Sequence, residues 1–347
     1  MTTRSKGGPL ALIAAGTGLL LVSRKFMQPK RLDLSGQVVL ITGSSRGLGL
    51  ALAEEFARHD ARIVLTAHDE DELERARLHI AQLGAEVLAI PCDVTKHTEV
   101  QSLVDKVTAH YGHIDVLVNN AGIITVGPLQ AQTLEDFQDS MNTIFWGAYH
   151  ATMAVLPQMY ECHNGQIVNI TSIGGKVSVP HLLSYSSAKF ALEGFSEGLH
   201  SELAKEGIHV LTVAPGLMRT GSQVNAFTKG KHEKEYTWFA LAATLPFTSI
   251  SVRRAAQQIV RATQRRSSQV IITFQATLLD RFHALFPGLT ANMLILVDRL
   301  LPKAGETQGL ERSKGKDSQT AISKSFLTAL GQKAAHTYNQ YPDNATS

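Results

Sequence analysis

Two sets of residues have types and spacings that could do chemistry. Tyr185 and Lys189 stand four apart in Ser184–Lys205, a stretch with helical patterning, so a phenol and an ammonium share one helix face. The second set lies in Val38–Phe56, reading VVLITGSSRGLGLALAEEF. There an apolar, β-branched run from Val38 to Thr42 breaks into a Gly/Ser-rich turn and resumes at Leu48 with apolar residues at helical spacing. A helix N-terminus offers unpaired N–H groups and the positive end of the helix dipole, and Gly43, Gly47 and Gly49 would let a pyrophosphate approach the backbone closely. The turn therefore reads as a dinucleotide cradle.

The elements that must position these residues alternate between strand and helix. Strands are expected at Val38–Thr42, Arg62–Ala67, Val87–Ile90, Ile114–Val118, Ile167–Thr171, Val210–Val213 and Gln269–Thr273. Between them fall helical stretches at Asp69–Leu83, Glu99–Tyr111, Leu134–Tyr160, Ser184–Lys205 and Val252–Arg265. This order predicts an α/β fold with a Rossmann-type, doubly wound, seven-stranded parallel sheet in a single domain spanning 34–273. In such sheets ligands sit at the carboxyl ends of the strands, where Gly43, Asp93, Asn119 and Ser172 fall. The charge run from Asp69 to Arg77 is read as a solvated helix face with no chemistry.

The totals narrow the function classes. The 347 residues carry a net charge of only +3, with 44% hydrophobic and 18% charged residues, which fits a well-cored globular chain and no nucleic-acid surface. Cys92 and Cys162 form no C-x-x-C pair, so a disulfide framework and a structural zinc site are excluded, no metal is expected, and both read as small buried hydrophobes. In the N-terminal part, 1–33, Gly7–Ser23 is uncharged and flanked by Arg4, Lys6, Arg24, Lys25, Lys30 and Arg31. At ~1.5 Å per residue it would span roughly 25 Å, a short membrane anchor, and the heavier positive flank would hold the folded domain on the cytoplasmic side. The other reading is an apolar helix packed on the protein or on a second copy. Residues 274–302 are apolar at helical spacing, suited to covering a cleft, forming a homodimer face or lying on a membrane. The polar tail 303–347 is expected to be partly disordered, with a weak helix at Ser323–Tyr338 and no function.

Thr42-Gly43-x-x-x-Gly47-x-Gly49, Asn119-Asn120-Ala121-Gly122, Ser172, Tyr185-x-x-x-Lys189 and Pro215-Gly216 stand in the order and at the separations of the short-chain dehydrogenases/reductases, which the chain resembles over Leu34–Thr273. The resemblance implies a nicotinamide cofactor and reversible transfer of a hydride between a carbonyl and an alcohol. Tyr185 would be the acid that protonates the substrate oxygen, and Ser172 would polarise that oxygen. Lys189 would hold the nicotinamide ribose, and its charge would bring the tyrosine pKa down from ~10. Ser45, Arg46 and Leu48 belong to the cradle. His68, Asp93 and Val94 would meet the adenine end, Asn119 to Gly122 the adenosine side, and Thr220, after Pro215 and Gly216, the carboxamide.

One position departs from the family pattern. A further asparagine is usual three residues before a glycine in the long central helix; with Gly147 as that glycine, the position holds Ile144, and Asn142 lies two residues away. Asn142 would serve only if the helix were locally distorted. Cofactor choice turns on Ala67-His68-Asp69, where NAD-preferring relatives place a carboxylate; with Arg46 in the turn suited to a 2′-phosphate, NADP(H) is expected over NAD(H), and Asp69 is the feature against it. The expected activity is a membrane-associated oxidoreductase on a lipophilic small-molecule ketone or secondary alcohol. The alternatives are a catalytically silent NADP(H)-binding scaffold and an epimerase with retained cofactor.

Overall fold

The computed structural model describes residues 31–245, 248–304, 310–323, 325 and 328–341; the apolar stretch Gly7–Ser23 lies outside them. Seven strands, β1 (Val38–Thr42), β2 (Arg62–Thr66), β3 (Val87–Ala89), β4 (Val116–Asn119), β5 (Gly165–Ile170), β6 (Ile208–Pro215) and β7 (Gln269–Ile272), form one sheet in the order β7-β6-β5-β4-β1-β2-β3. Every pairing in it is parallel. The expected doubly wound sheet is therefore the observed one.

Strand side chains alternate between faces, and each face has its own helices. Val39, Ile41, Ile63, Leu65, Val116 and Val118 pack with α1 (Gly47–Ala57), α2 (Glu70–Gln82) and, later in the chain, α8 (Val252–Gln264). Val38, Leu40, Val64, Leu117, Ile167 and Val210 face the other way, onto α3 (His97–Tyr111) and α5 (Gly147–Cys162). Burial on both faces explains why these strands read as continuous apolar runs rather than alternating ones.

The central helical stretch is not one α-helix. It comprises α4 (Leu134–Ser140), a π-helical turn (Met141–Trp146) and then α5. α6 (Leu183–Leu203) follows β5, and α7 (His232–Thr244) follows β6. Beyond β7, α9 (Phe274–Leu285) and α10 (Pro287–Leu300) form a pair whose only buried residues are Ala276 and Thr290. Among the described residues no helix is long and apolar enough to cross a membrane.

In the polar tail, where it is described, a helix lies inside the expected Ser323–Tyr338 range, and the tail is packed on the body rather than free of it. Ser313–Lys314 pairs with Phe227–Thr228, and α11 (Ala329–Thr337) packs on the body with Ala335 fully buried. Long-range side-chain hydrogen bonds and the burial of Ala335 and Tyr338 hold the segment, neither of which its polar composition reveals. Cys92 is buried as expected, whereas Cys162, in the last turn of α5, is exposed.

Candidate active site

β5 ends two residues before Ser172, whose Oγ accepts the Gly174 N–H at 3.0 Å. α6 then presents Tyr185 and Lys189 from its first turns, both toward that strand end. The Ser172 hydroxyl lies beside that of Tyr185 and favours its ionised form. Lys189 Nζ donates to the Ile170 carbonyl at 2.7 Å and lies 5.7 Å from the Tyr185 ring centroid. A Cβ on Gly122 would lie 3.8 Å from Lys189 Nζ, so the Asn119–Gly122 loop ends beside the lysine. The helix approaches the turn Ile173–Gly175 after β5 this closely because Gly175 has no side chain; a Cβ there would come to 2.8 Å from the Lys189 carbonyl.

Electrostatically the pair differs from expectation. Burial pushes the Tyr185 hydroxyl up, opposed by the Ser172 hydroxyl. Burial also pushes Lys189 down, to about 7. The same desolvation acts on both, so the charge expected to lower the tyrosine is itself costly to hold, and Ser172 supplies the lowering contribution.

The structure does not bring Asn142 to this cluster. The π turn is the local distortion that would have been needed, yet Ile144 is the member facing inward, 1% exposed and packed with Ala148, Ala188 and Leu192. Asn142, two residues earlier in the wide turn, is exposed. A Cβ on Gly122 would sit 3.6 Å from Ile144 Cγ1, so the group beside the Asn119–Gly122 loop at this point is apolar.

Next to the cluster is the glycine turn between β1 and α1. Gly43 and Gly47 have φ of +62° and +60°, which favours glycine. A Cβ on Gly49 would collide with the Gly43 carbonyl and come to 2.7 Å from Asn120 Nδ2. Thr42 Oγ1 accepts the N–H groups of Asn120 and Ala121, while Asn120 Nδ2 donates to the Thr42 and Gly43 carbonyls, each at 2.9 Å. Asn119 turns inward, donating to Thr152 and Asn169. Asn120 thus spends its amide on shaping the turn, while Asn119 ties β4 to β5 and α5.

Beyond the ends of β2 and β3, His68, Cys92 and Asp93 line a cavity of about 490 Å³. A Cβ on Gly147 would come to 2.9 Å from Val94 Cγ2, so that glycine lets α5 close on this loop. Asp69 caps α2, accepting the Glu72 N–H at 2.8 Å, which gives its carboxylate a structural task. Gly216, after Pro215 at the end of β6, donates its N–H to the Ile272 carbonyl. Thr220 is buried, and its Oγ1 accepts the Ser222 N–H. A glycine turn open to backbone approach, a helix N-terminus and an adjoining cleft fit a dinucleotide.

Sequence reasoning missed three residues here. Glu72, assigned to a solvated face, takes Arg46 Nη1 at 2.6 Å on both carboxylate oxygens and accepts from Ser45 Oγ at 3.2 Å. Asn339 and Gln340, from the polar tail, bond to Ser45 and Thr220 respectively. No local pattern could reveal contacts across such sequence separations.

The sequence matches the short chain dehydrogenase family over residues 37–231, more than half of the chain. The chain belongs to that family. A Dehydrogenase/reductase SDR family protein 7-like from Anopheles gambiae is 37% identical to this dehydrogenase over 226 residues, 63% of this chain and 71% of that protein. Estradiol 17-beta-dehydrogenase 11 of Macaca fascicularis is 33% identical over 210 residues, 58% of this chain and 69% of its own. Among solved structures, L-sorbose reductase of Gluconobacter frateurii complexed with NADPH and L-sorbose superposes with a TM-score of 0.62 at 28% identity, covering 70% of this chain and 97% of that one. This short-chain dehydrogenase is thus an oxidoreductase of a family whose members bind nicotinamide cofactors.

Proposed function

We propose that this short-chain dehydrogenase interconverts a lipophilic ketone and the corresponding secondary alcohol with NADP(H). The observation that carries the proposal is the Ser172–Tyr185–Lys189 cluster, assembled at the carboxyl end of β5 beside the glycine turn.

Bound there, a nicotinamide dinucleotide would supply or accept the hydride. Gly43, Gly47 and Gly49 would hold its pyrophosphate with Leu48, the Ala121 and Gly122 backbone its adenosine side, His68 and Asp93 its adenine end, and Thr220 its carboxamide. Ser172 donates a hydrogen bond to the substrate oxygen, stabilising the charge that develops on it. Tyr185 passes a proton to that oxygen in reduction and takes it back in oxidation. With one ammonium proton directed to Ile170, Lys189 keeps two for the ribose and the tyrosine, and a pKa of about 7 lets it gain and lose protons at neutral pH.

Arg46 in the turn supports the choice of NADP(H), as do the commitment of Asp69 to a helix cap and the NADPH in the sorbose reductase complex. A lipophilic substrate is supported by the relative named for estradiol; the cavity of about 720 Å³ between Pro128, Val179 and Leu301 is lined by apolar side chains and by Gln130, His181, Asp298, Arg299 and Lys303 alike. Leu285, Leu289, Met293, Leu296 and Leu300 follow one another on α10 and its approach, each more than half exposed. With the apolar segment at 7–23, that stripe supports attachment to a membrane. Fluorescence titration with NADPH and NADH, followed by NADPH oxidation against a panel of ketones, tests the proposal. Tight NADPH binding and turnover of apolar ketones are expected; no nucleotide binding would refute it.

A further inference from the structure

The tail segment after α11 lies across the glycine turn. The Tyr338 carbonyl accepts the Gly47 N–H, the first of α1, at 2.9 Å, so the next N–H groups of that turn, on Leu48 and Gly49, are the ones left for a ligand phosphate. Asn339 Nδ2 donates to the carbonyls of Ser45 and Glu72, each at 2.9 Å, and its Oδ1 accepts from Arg75 Nε at 3.0 Å. Gln340, 4% exposed, reaches the opposite wall: its Nε2 donates to the Thr220 carbonyl at 3.1 Å, and Asn225 Nδ2 donates to its carbonyl and its Oε1. The same Nε2 lies 2.9 Å from where a Gly47 Cβ would be. The segment is itself anchored: Tyr338 packs into the core beneath α1, and a Cβ on Gly221 would collide with Ala335 of α11.

Three pieces of the nucleotide site, distant in sequence, are therefore tied together by consecutive residues: the glycine turn, the start of α2 with its Arg46–Glu72 pair, and the loop after Gly216. We infer that Tyr338–Gln340 is a strap of the nucleotide site. Asn339 positions the 2′-phosphate end through Ser45, Glu72 and Arg75, and Gln340 holds the Thr220 loop against the turn. Bound dinucleotide leaves only when these bonds open. The inference rests on the NADP(H) reading above. It adds residues to that site which lie outside the segment matched by the family.

Stopped-flow displacement of NADPH, followed by its fluorescence, tests this on the full chain and on Asn339→Ala and Gln340→Ala. Both variants are expected to release NADPH at least 10-fold faster, and Asn339→Ala to lose part of its preference for NADPH over NADH. Lys333→Ala, exposed on α11, is the control expected to leave both NADPH release and single-turnover ketone reduction unchanged, which separates a strap from a general loosening of the tail. Thermal unfolding of the nucleotide-free variants serves as the folding check, since removing residues 328–347 would also expose the core around Ala335. Unchanged release would overturn the inference. Tighter binding in the variants would overturn it too, because the segment would then obstruct the site. If the intact chain bound neither NADPH nor NADH, the functional reading itself would fail, and the strap with it.

Discussion

Lys189 is the residue whose burial is most at odds with its charge. Its pKa is held at about 7, well below the unfolded value of ~10.4, so the unfolded chain binds more protons between these limits and stability rises with pH across them. Below pH 7 the full cost of burying the ammonium is present. Lys189→Met should therefore raise stability at pH 7 by about 1–3 kcal/mol after the lost bond to Ile170, with the gain fading toward pH 10 while turnover collapses. Chemical denaturation across pH checks this; a gain independent of pH would contradict it. Arg46 poses a second question, because Glu72 already pairs with it at 2.6 Å, in a partly exposed setting. Arg46→Ala should weaken NADPH binding about 10- to 100-fold and NADH binding little, corresponding to about 1–3 kcal/mol for a charge-assisted contact. Glu72→Gln should strengthen NADPH binding, both read by fluorescence titration. At this scale the types and spacing of Ser172, Tyr185 and Lys189 were legible in the sequence. The sign of their pKa shifts was not, because burial is set by elements far along the chain.

The strand–turn–helix at Val38–Ala57 was readable because its signals are local: β-branched residues, then glycines, then helical spacing. Gly49 shows what that reading cannot supply, since its neighbours Gly43 and Asn120 come from the turn and from the end of β4. Gly49→Ala should destabilise the fold by about 1–3 kcal/mol through overpacking and weaken nucleotide binding more than 10-fold. Thermal unfolding and titration check this, and wild-type binding would contradict the assignment of the cradle. The central helix shows the opposite case. Its apolar spacing predicted one helix from Leu134 to Tyr160, whereas six residues in it take π geometry and turn Ile144 inward and Asn142 outward. Nothing in the run MNTIFW marks a change of helical type, because the cause is packing against Gly122 and α6.

At the scale of the molecule, the sheet and its helices followed from alternation of pattern, while the tail, read from composition as partly disordered with a weak helix, closes over the turn from more than 290 residues away. Polar segments held by long-range hydrogen bonds have no periodic signature. The apolar face of α10 and the segment at 7–23 give one further expectation: deleting residues 1–30 should release the protein from membranes, read by flotation. Unchanged flotation would assign attachment to α9 and α10. Single-turnover reduction of an apolar ketone by NADPH, wild type against Tyr185→Phe, decides whether Tyr185 delivers the proton. A rate lowered by about 10²- to 10⁴-fold with NADPH affinity unchanged is expected. Equal rates would show that Tyr185 is not the proton donor, and no turnover in either protein would leave a nucleotide-binding scaffold.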